Sequence, residues 1–219
     1  MNSLIDKYNI PGPRYTSYPT VPFWDESNFT AEKWQNSVIK SFNESNEAEG
    51  ISIYIHLPFC EALCTFCACH KRITKQHSVE TPYLETVLKE WDLYLKLFSD
   101  SGTKPKIKEL HLGGGTPTFF SPENLRKLLE GIFSKAEIAD NPEFSFEGHP
   151  NNTTKAHLQT LYDLGFRRAS FGVQDYDPKV QKAINRIQPF ENVERVTNWA
   201  REIGYKGVSH DLVFGLPFH

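Results

Sequence analysis

Two hydrophobic periods alternate along the chain. Residues 51–57 (Ile-Ser-Ile-Tyr-Ile-His-Leu) place apolar, mostly β-branched side chains at every second position, which predicts a strand. From about residue 81 the period lengthens to that of a helix. Leu84, Val87, Leu88, Trp91 and Leu95 form one stripe, and Thr81-Pro82 marks the start. The exchange then recurs, with strands predicted at 107–112, 143–147, 168–173 and 208–214. Between them helices are predicted from Ser121-Pro122-Glu123 to about 134, over about 154–164 closed by Gly165, and over about 178–185 and 191–203, ended by Gly204. Strands separated by helix imply parallel βαβ units. The predicted class is therefore α/β: a partial (β/α) barrel of parallel strands, with a doubly wound sheet as the alternative. So many consecutive units without a nucleotide-type Gly fingerprint favour the barrel. The sequence stops at His219, straight after the fifth predicted strand. The barrel is expected to be truncated there, its last strand an open edge.

The N-terminal stretch follows neither period. Tyr8 to Trp24 holds Pro11, Pro13, Pro19 and Pro22 with Arg14, Tyr15, Tyr18, Phe23 and Trp24, and such a run forms neither helix nor central strand. It is expected to be an extended arm, either packed across the domain or serving as a lid that offers an arginine and aromatics to a planar, anionic substrate. The polar run 43–50 is the clearest linker, which divides the chain into an arm with a leading helix (1–50) and the barrel domain (51–219).

Composition narrows the function classes. A chain of 219 residues, 39% hydrophobic, can bury a sizeable core. Its formal charge of −3 argues against wholesale binding to nucleic acid or an anionic membrane. No run approaches the ~18 apolar residues that span a bilayer. Met1 leads into Asn-Ser-Leu-Ile-Asp, which lacks the basic and apolar regions of a secretory signal, so the cytoplasm is expected.

Cysteine placement changes the picture most. All four cysteines lie between 60 and 69, and the first three, Cys60, Cys64 and Cys67, are spaced C-x3-C-x2-C. Disulfides among such close neighbours would close loops too small to staple a fold. Zinc remains an alternative, since His56, His70 and His77 could complete a tetrahedron, although no second cysteine pair exists. Thiolates on one short loop can instead hold three irons of a [4Fe–4S] cluster and leave the fourth open to an outside ligand. Cys69 is then left over. The other polar candidates sit at the C-terminal ends of predicted strands, where parallel barrels place their sites. The cysteine loop follows strand one and the run Gly113-Gly114-Gly115-Thr116-Pro117 follows strand two. Glu147 ends strand three, Gln174 follows strand four, and Asp211 lies in strand five. On its own the glycine run means only a flexible turn.

C-x3-C-x2-C with an aromatic residue, Phe66, before its last cysteine resembles the signature of radical S-adenosylmethionine enzymes. In that chemistry S-adenosylmethionine chelates the open iron through its amino and carboxylate groups, and its reductive cleavage gives a 5′-deoxyadenosyl radical. The glycine run would let backbone groups approach this ligand. Glu147 and Asp211 would face its cationic sulfonium and ribose hydroxyls, and Arg186 could pair with a carboxylate.

A narrower resemblance covers nearly the whole chain. Gly12-Pro13-Arg14-Tyr15-Thr16-Ser17-Tyr18-Pro19-Thr20, Tyr54-Ile55-His56-Leu57-Pro58-Phe59-Cys60, Cys67-Ala68-Cys69, Gly113 to Thr118, Gly172-Val173-Gln174-Asp175 and Asp211 to Pro217 are similar to the oxygen-independent coproporphyrinogen III oxidase family. The arm and the fourth cysteine separate it from related haem chaperones, the alternative reading, which would bind haem without turnover. The resemblance implies cluster ligation by Cys60, Cys64 and Cys67. It implies S-adenosylmethionine contacts from Tyr54, Phe66, Gly114, Gly115, Thr116, Glu147, Gln174, Arg186 and Asp211, and a Cys69 needed for activity without ligating the cluster. Arg14 is a candidate contact to a substrate carboxylate. The implied reaction is oxidative decarboxylation of two coproporphyrinogen III propionates to vinyl groups. The electron would come from a reductant such as flavodoxin or ferredoxin, and a monomer is expected. His149 departs from the family pattern of an acidic or amide residue before the proline. Family members are also longer, so these 219 residues alone are expected to be inactive or nearly so.

Overall fold

The computed structural model describes residues 3–9 and 20–218. Most of the proline-rich arm, Arg14 included, lies outside the described residues. The chain divides into two compact units, residues 1–38 and 39–219.

In the first unit a short helix, α1 (Leu4–Tyr8), is capped by the Ser3 hydroxyl, which accepts from the Asp6 amide at 3.2 Å. A single 3₁₀ turn, Val21–Phe23, forms around Pro22. Helix α2 (Ala31–Ser45) begins here, with the Thr30 hydroxyl accepting from the Lys33 amide.

The second unit takes up the end of α2 and continues through β1 (Ile51–Leu57), β2 (Phe59–Cys60), β3 (Arg72–Ile73), α3 (Glu80–Phe98), β4 (Lys106–Gly114), α4 (Pro122–Phe133), β5 (Glu137–Gly148), α5 (Lys155–Asp163), β6 (Phe166–Gln174), α6 (Pro178–Ala183), α7 (Phe190–Ile203) and β7 (Gly207–Leu212). The run 43–50 is not a free linker. Helix α2 extends to Ser45, and buried Asn46 donates to the Lys104 carbonyl (2.9 Å) and accepts from the Lys106 amide (2.8 Å). That side chain docks the segment against the start of β4.

Five strands form one parallel sheet in the order β1-β4-β5-β6-β7. The order never reverses, and right-handed crossovers then put every helix on the same face. A doubly wound sheet needs a reversal, so this is an open arc of a (β/α) barrel. The helices pack in sequence on its outside, α3 on α4, α4 on α5 and α5 on α7.

Local chemistry sets the helix ends. Ser121 caps α4 by accepting from the Asn124 amide (3.2 Å), with Pro122 in the first turn. Thr154 and His157 form a reciprocal capping box on α5, and His157 Nε2 also reaches the Phe120 carbonyl at 2.9 Å. Strand β5 starts six residues earlier than the alternating pattern 143–147 suggests. Asn141-Pro142 breaks the period, but a register shift in the β4–β5 ladder and a left-handed Asn141 (φ 51°) absorb the break.

The sheet has two unlike faces. Leu110, Leu112, Phe144, Phe146, Ala169, Phe171 and Val173 point outward and are buried under the helices. Alternate positions carry Tyr54, His56, Glu109, His111, Ser145, Glu147, Ser170 and Asp211 inward. A closed barrel core is filled with branched aliphatic side chains. A polar inner face marks this one as the lining of a site.

Candidate active site

The cysteine loop leaves the C-terminal end of β1. Its base is closed by the β2–β3 ladder, in which the Arg72 amide donates to the Pro58 carbonyl (2.8 Å) and the Thr74 amide to the Cys60 carbonyl (2.9 Å). All four thiols are free; Cys60, Cys64 and Cys67 are half-buried and Cys69 is exposed. The Cys67 amide donates to the Cys64 carbonyl (3.1 Å), a tight turn between those two cysteines. Lys71 folds back so that Nζ donates to the carbonyls of Cys67 (2.9 Å) and Cys69 (3.2 Å). Phe66 lies on the same loop with its ring partly exposed.

Two other segments clamp this loop. From β4, the Gly115 amide donates to the Leu57 carbonyl (2.9 Å), and Thr116 Oγ1 lies 3.3 Å from Cys60 Sγ. Gly114 has φ 120°, and a β-carbon there would lie 2.9 Å from the Leu57 backbone. From the turn after α6, the Thr65 amide donates to the Ile184 carbonyl (3.0 Å) and Asn185 Nδ2 to the Leu63 carbonyl (2.8 Å). Arg186 Nη1 reaches Cys64 Sγ at 3.6 Å and Nη2 the Gly172 carbonyl at 2.5 Å.

Burial pushes the Cys60 thiol pKa up, the Thr116 contact opposes it, and the neighbouring Cys67 and Cys64 thiols reinforce it. Burial raises the Cys69 thiol too, followed by Cys67 and Glu147. Tyr54 is raised by burial, then by Glu147 and Cys69. Burial, seconded by Arg186, lowers the pKa of His149 to about 3, so its ring is neutral and its Nδ1 accepts from the Asn151 amide (3.1 Å).

Of the site residues expected from sequence, Cys60, Cys64, Cys67, Gly114, Gly115, Thr116 and Arg186 are joined by direct contacts. Glu147 faces the same inner space. Gln174 ends β6 in a left-handed conformation (φ 70°), its side chain folded back over Gly172. Asp211 lies further round the sheet and accepts from the Ser170 hydroxyl at 3.0 Å to each oxygen. Two of the histidines of the zinc alternative have other partners. His56 is engaged by Tyr54 and the His70 carbonyl, and His77 Nδ1 by Glu80 at 2.7 Å. His111, Ser145, Ser170 and Lys71 escape sequence reasoning. Strand alternation alone would have put the first three on the inner face once the register was known.

Among the described residues, no three or more His, Cys, Asp and Glu side chains form a group suited to one bound metal ion. The case for a cluster rests on donor chemistry and surroundings. Three thiols on one loop are soft donors suited to iron–sulfur ligation. A β-carbon at Gly115 would lie 3.0 Å from Cys60 Sγ, so the glycine keeps space open beside that thiol. Arg186 Nε is buried without a hydrogen-bond partner, a cationic donor left over for a ligand carboxylate. The residues fit a [4Fe–4S] cluster with S-adenosylmethionine. A surface concavity lined by Glu123, Arg126, Lys127 and Thr160 lies on the outer helices and takes no part.

A family model described as the radical SAM superfamily matches residues 54–219. The chain is 44% identical over 212 residues to the oxygen-independent coproporphyrinogen III oxidase of Helicobacter pylori (strain J99), covering 96% of this chain and 45% of that protein. To the Pseudomonas aeruginosa protein of the same name it is 36% identical over 217 residues, covering 98% and 45%. A solved structure described as coproporphyrinogen III oxidase (HemN) from Escherichia coli, a radical SAM enzyme, superposes with a TM-score of 0.82 at 33% identity, covering 94% of this chain and 45% of that one. The chain thus spans less than half the length of the relatives it matches.

Proposed function

The chain belongs to the radical SAM superfamily, and from that premise we propose that it carries the cluster and S-adenosylmethionine machinery of an oxygen-independent coproporphyrinogen III oxidase. The observation that carries the substrate is the 44% identity to the Helicobacter pylori oxidase across 96% of this chain. Cys60, Cys64 and Cys67 hold the cluster. Tyr54, Phe66, Gly114, Gly115, Thr116, Glu147, Gln174, Arg186 and Asp211 hold S-adenosylmethionine. When bound, the pair would supply radical chemistry for the oxidative decarboxylation of a substrate propionate to a vinyl group, with an external acceptor for the remaining electron.

The protein's own part is positional. Deprotonation of half-buried Cys60 accompanies iron binding, and Thr116 offers a hydrogen bond to the sulfur. Arg186 places a fixed cation at Cys64 and presents its free Nε–H to a carboxylate. Lys71 pins the carbonyls of Cys67 and Cys69, which holds the Cys69 thiol at the edge of the site, where the reaction would need it. Arg14 contacts a substrate carboxylate. A small reductant such as flavodoxin or ferredoxin supplies the electron, and the protein works as a cytoplasmic monomer. No helix among the described residues is long and apolar enough to cross a membrane.

Anaerobic reconstitution tests this. The expected result is iron and sulfide at cluster stoichiometry and release of 5′-deoxyadenosine from S-adenosylmethionine under reduction. Vinyl product from coproporphyrinogen III identifies the substrate. Haem binding with no 5′-deoxyadenosine would refute the enzyme in favour of a haem-trafficking relative, and zinc without iron or sulfide would refute both.

A further inference from the structure

Neither spacing nor resemblance singles out His111, yet both of its ring nitrogens are engaged on the inner face. Nδ1 lies 2.8 Å from Ser145 Oγ and Nε2 3.5 Å from Glu147 Oε1. A carboxylate only accepts, so Nε2 carries the proton and Nδ1 accepts from the Ser145 hydroxyl. The ring lies nearly flat against Tyr54, with centroids 5.9 Å apart and planes at 17°. Gly113 makes this possible, because a β-carbon there would lie 2.8 Å from the Tyr54 ring and 3.2 Å from His111 Nε2. Tyr54 in turn meets His56 Nδ1 at 2.9 Å, and His56 Nε2 donates to the His70 carbonyl on the cysteine loop at 2.7 Å.

We propose that His111 is a positioning residue for S-adenosylmethionine, orienting the Glu147 carboxylate and the Tyr54 ring before the ligand arrives. The assignment rests on the reading of those two residues as ligand contacts. Glu147 is half exposed, and among the described residues His111 is the one group that hydrogen-bonds its carboxylate. Without that donor the side chain would have to be ordered on binding. The 3.5 Å separation is long for a hydrogen bond and is expected to shorten on binding. Ser145 fixes the imidazole from the other side, so the direction of the Nε2–H bond is set by β5 itself.

The test is S-adenosylmethionine affinity by equilibrium dialysis on the anaerobically reconstituted chain, with iron content and melting temperature measured alongside. His111→Ala is expected to keep its iron and bind roughly tenfold more weakly, the scale of one lost hydrogen bond to a charged group. His111→Gln, which restores a donor near the Nε2 position, should recover most of that loss. In a Glu147→Ala background the His111→Ala change should add little, because its partner is gone. Fully additive losses, or a His111→Ala affinity equal to wild type, would overturn the proposal. Should His111→Ala fail to hold iron, Ser145→Ala decides in its place, and an unchanged affinity there counts against the assignment. If the iron-loaded wild type binds no S-adenosylmethionine, the parent reading fails and this one with it, an outcome visible before any variant is compared.

Discussion

Gly115→Ala tests how tightly the cysteine loop and the glycine run are fitted. Its amide already donates to Leu57, and it is not among the positive-φ glycines, so alanine meets no backbone conflict of its own. The conflict is spatial. The new β-carbon would lie 2.5 Å from the Pro58 carbonyl oxygen, 2.6 Å from its carbon and 3.0 Å from Cys60 Sγ. Ordinary contact needs about 3.5 Å, so something must move by on the order of 1 Å. The Pro58 carbonyl cannot swing away freely, because it accepts the Arg72 amide that closes the loop. Overpacking of this kind costs about 1–3 kcal/mol, or a fall of roughly 2–12 °C in melting temperature for a chain of this size. The larger effect is on the ligand set. Metal ligands must lie within about 0.2 Å of their proper distances, so displacing Cys60 should at least halve the iron retained after anaerobic reconstitution. Gly131→Ala is the control. Its β-carbon meets only the tip of Leu88 at 2.8 Å, which can turn aside, and alanine favours the helix by about 1 kcal/mol. The measurements are iron per chain and thermal midpoint, side by side. If Gly115→Ala loads iron as well as Gly131→Ala, the loop is not held against the glycine run as described.

Cys64→Ala should abolish the visible absorbance of the reconstituted cluster, whereas Cys69→Ala should retain it and lose vinyl product formation in any assay where the parent protein turns over. Phe146→Ala empties a fully buried position between the sheet and its helices and should cost about 3–5 kcal/mol in denaturant unfolding, with the cysteine loop unaffected in the folded protein. His149, whose pKa is depressed to about 3, contributes stability that is complete above about pH 6.5 and is lost as pH falls toward 3. At pH 5 linkage gives an upper figure of about 2 kcal/mol, nearer 1 once partial exposure is discounted. The unliganded protein should therefore lose more stability between pH 7.5 and 5 than His149→Gln does, and equal losses would refute the burial argument.

The fold was legible because each strand–helix unit carried its own period and its own stops. Gly165 and Gly204 end their helices in left-handed conformations, and Ser121 and Thr154 start theirs by capping. What sequence could not supply was register. Only the ladder Tyr54↔His111↔Ser145 shows that three residues far apart in the chain share one patch. The β5 bulge was hidden for a related reason, since Pro142 ends a local pattern but not a ladder that can shift around it. Arg186 could be suspected as a carboxylate partner, but its contact with Cys64 depends on how the turn after α6 docks under the cysteine loop. The three cysteines proposed as cluster ligands stand out in the sequence because the chemistry expected of them depends on local spacing, which sequence states outright.

Register also ties the stability of the domain to the geometry of its site. On β4 and β5, Leu110 and Leu112 pair with Phe144 and Phe146 on the buried face, while His111 and Ser145 alternate with them on the inner one. A slip of one residue would exchange the two sets, bringing phenylalanines inward and burying an imidazole and a hydroxyl under the helices. Fully burying a phenylalanine or leucine is worth about 1.5–3 kcal/mol each, and leaving a buried polar group unpaired costs about 1–3 kcal/mol. Over these four apolar and two polar positions the penalty for a slip is on the order of 10 kcal/mol, comparable to the whole stability of an ordinary domain. The core therefore does more than hold the sheet together. By excluding the alternative register it fixes which side chains face the inner space, and the contacts from His111 and Thr116 need only refine an arrangement that packing has already chosen.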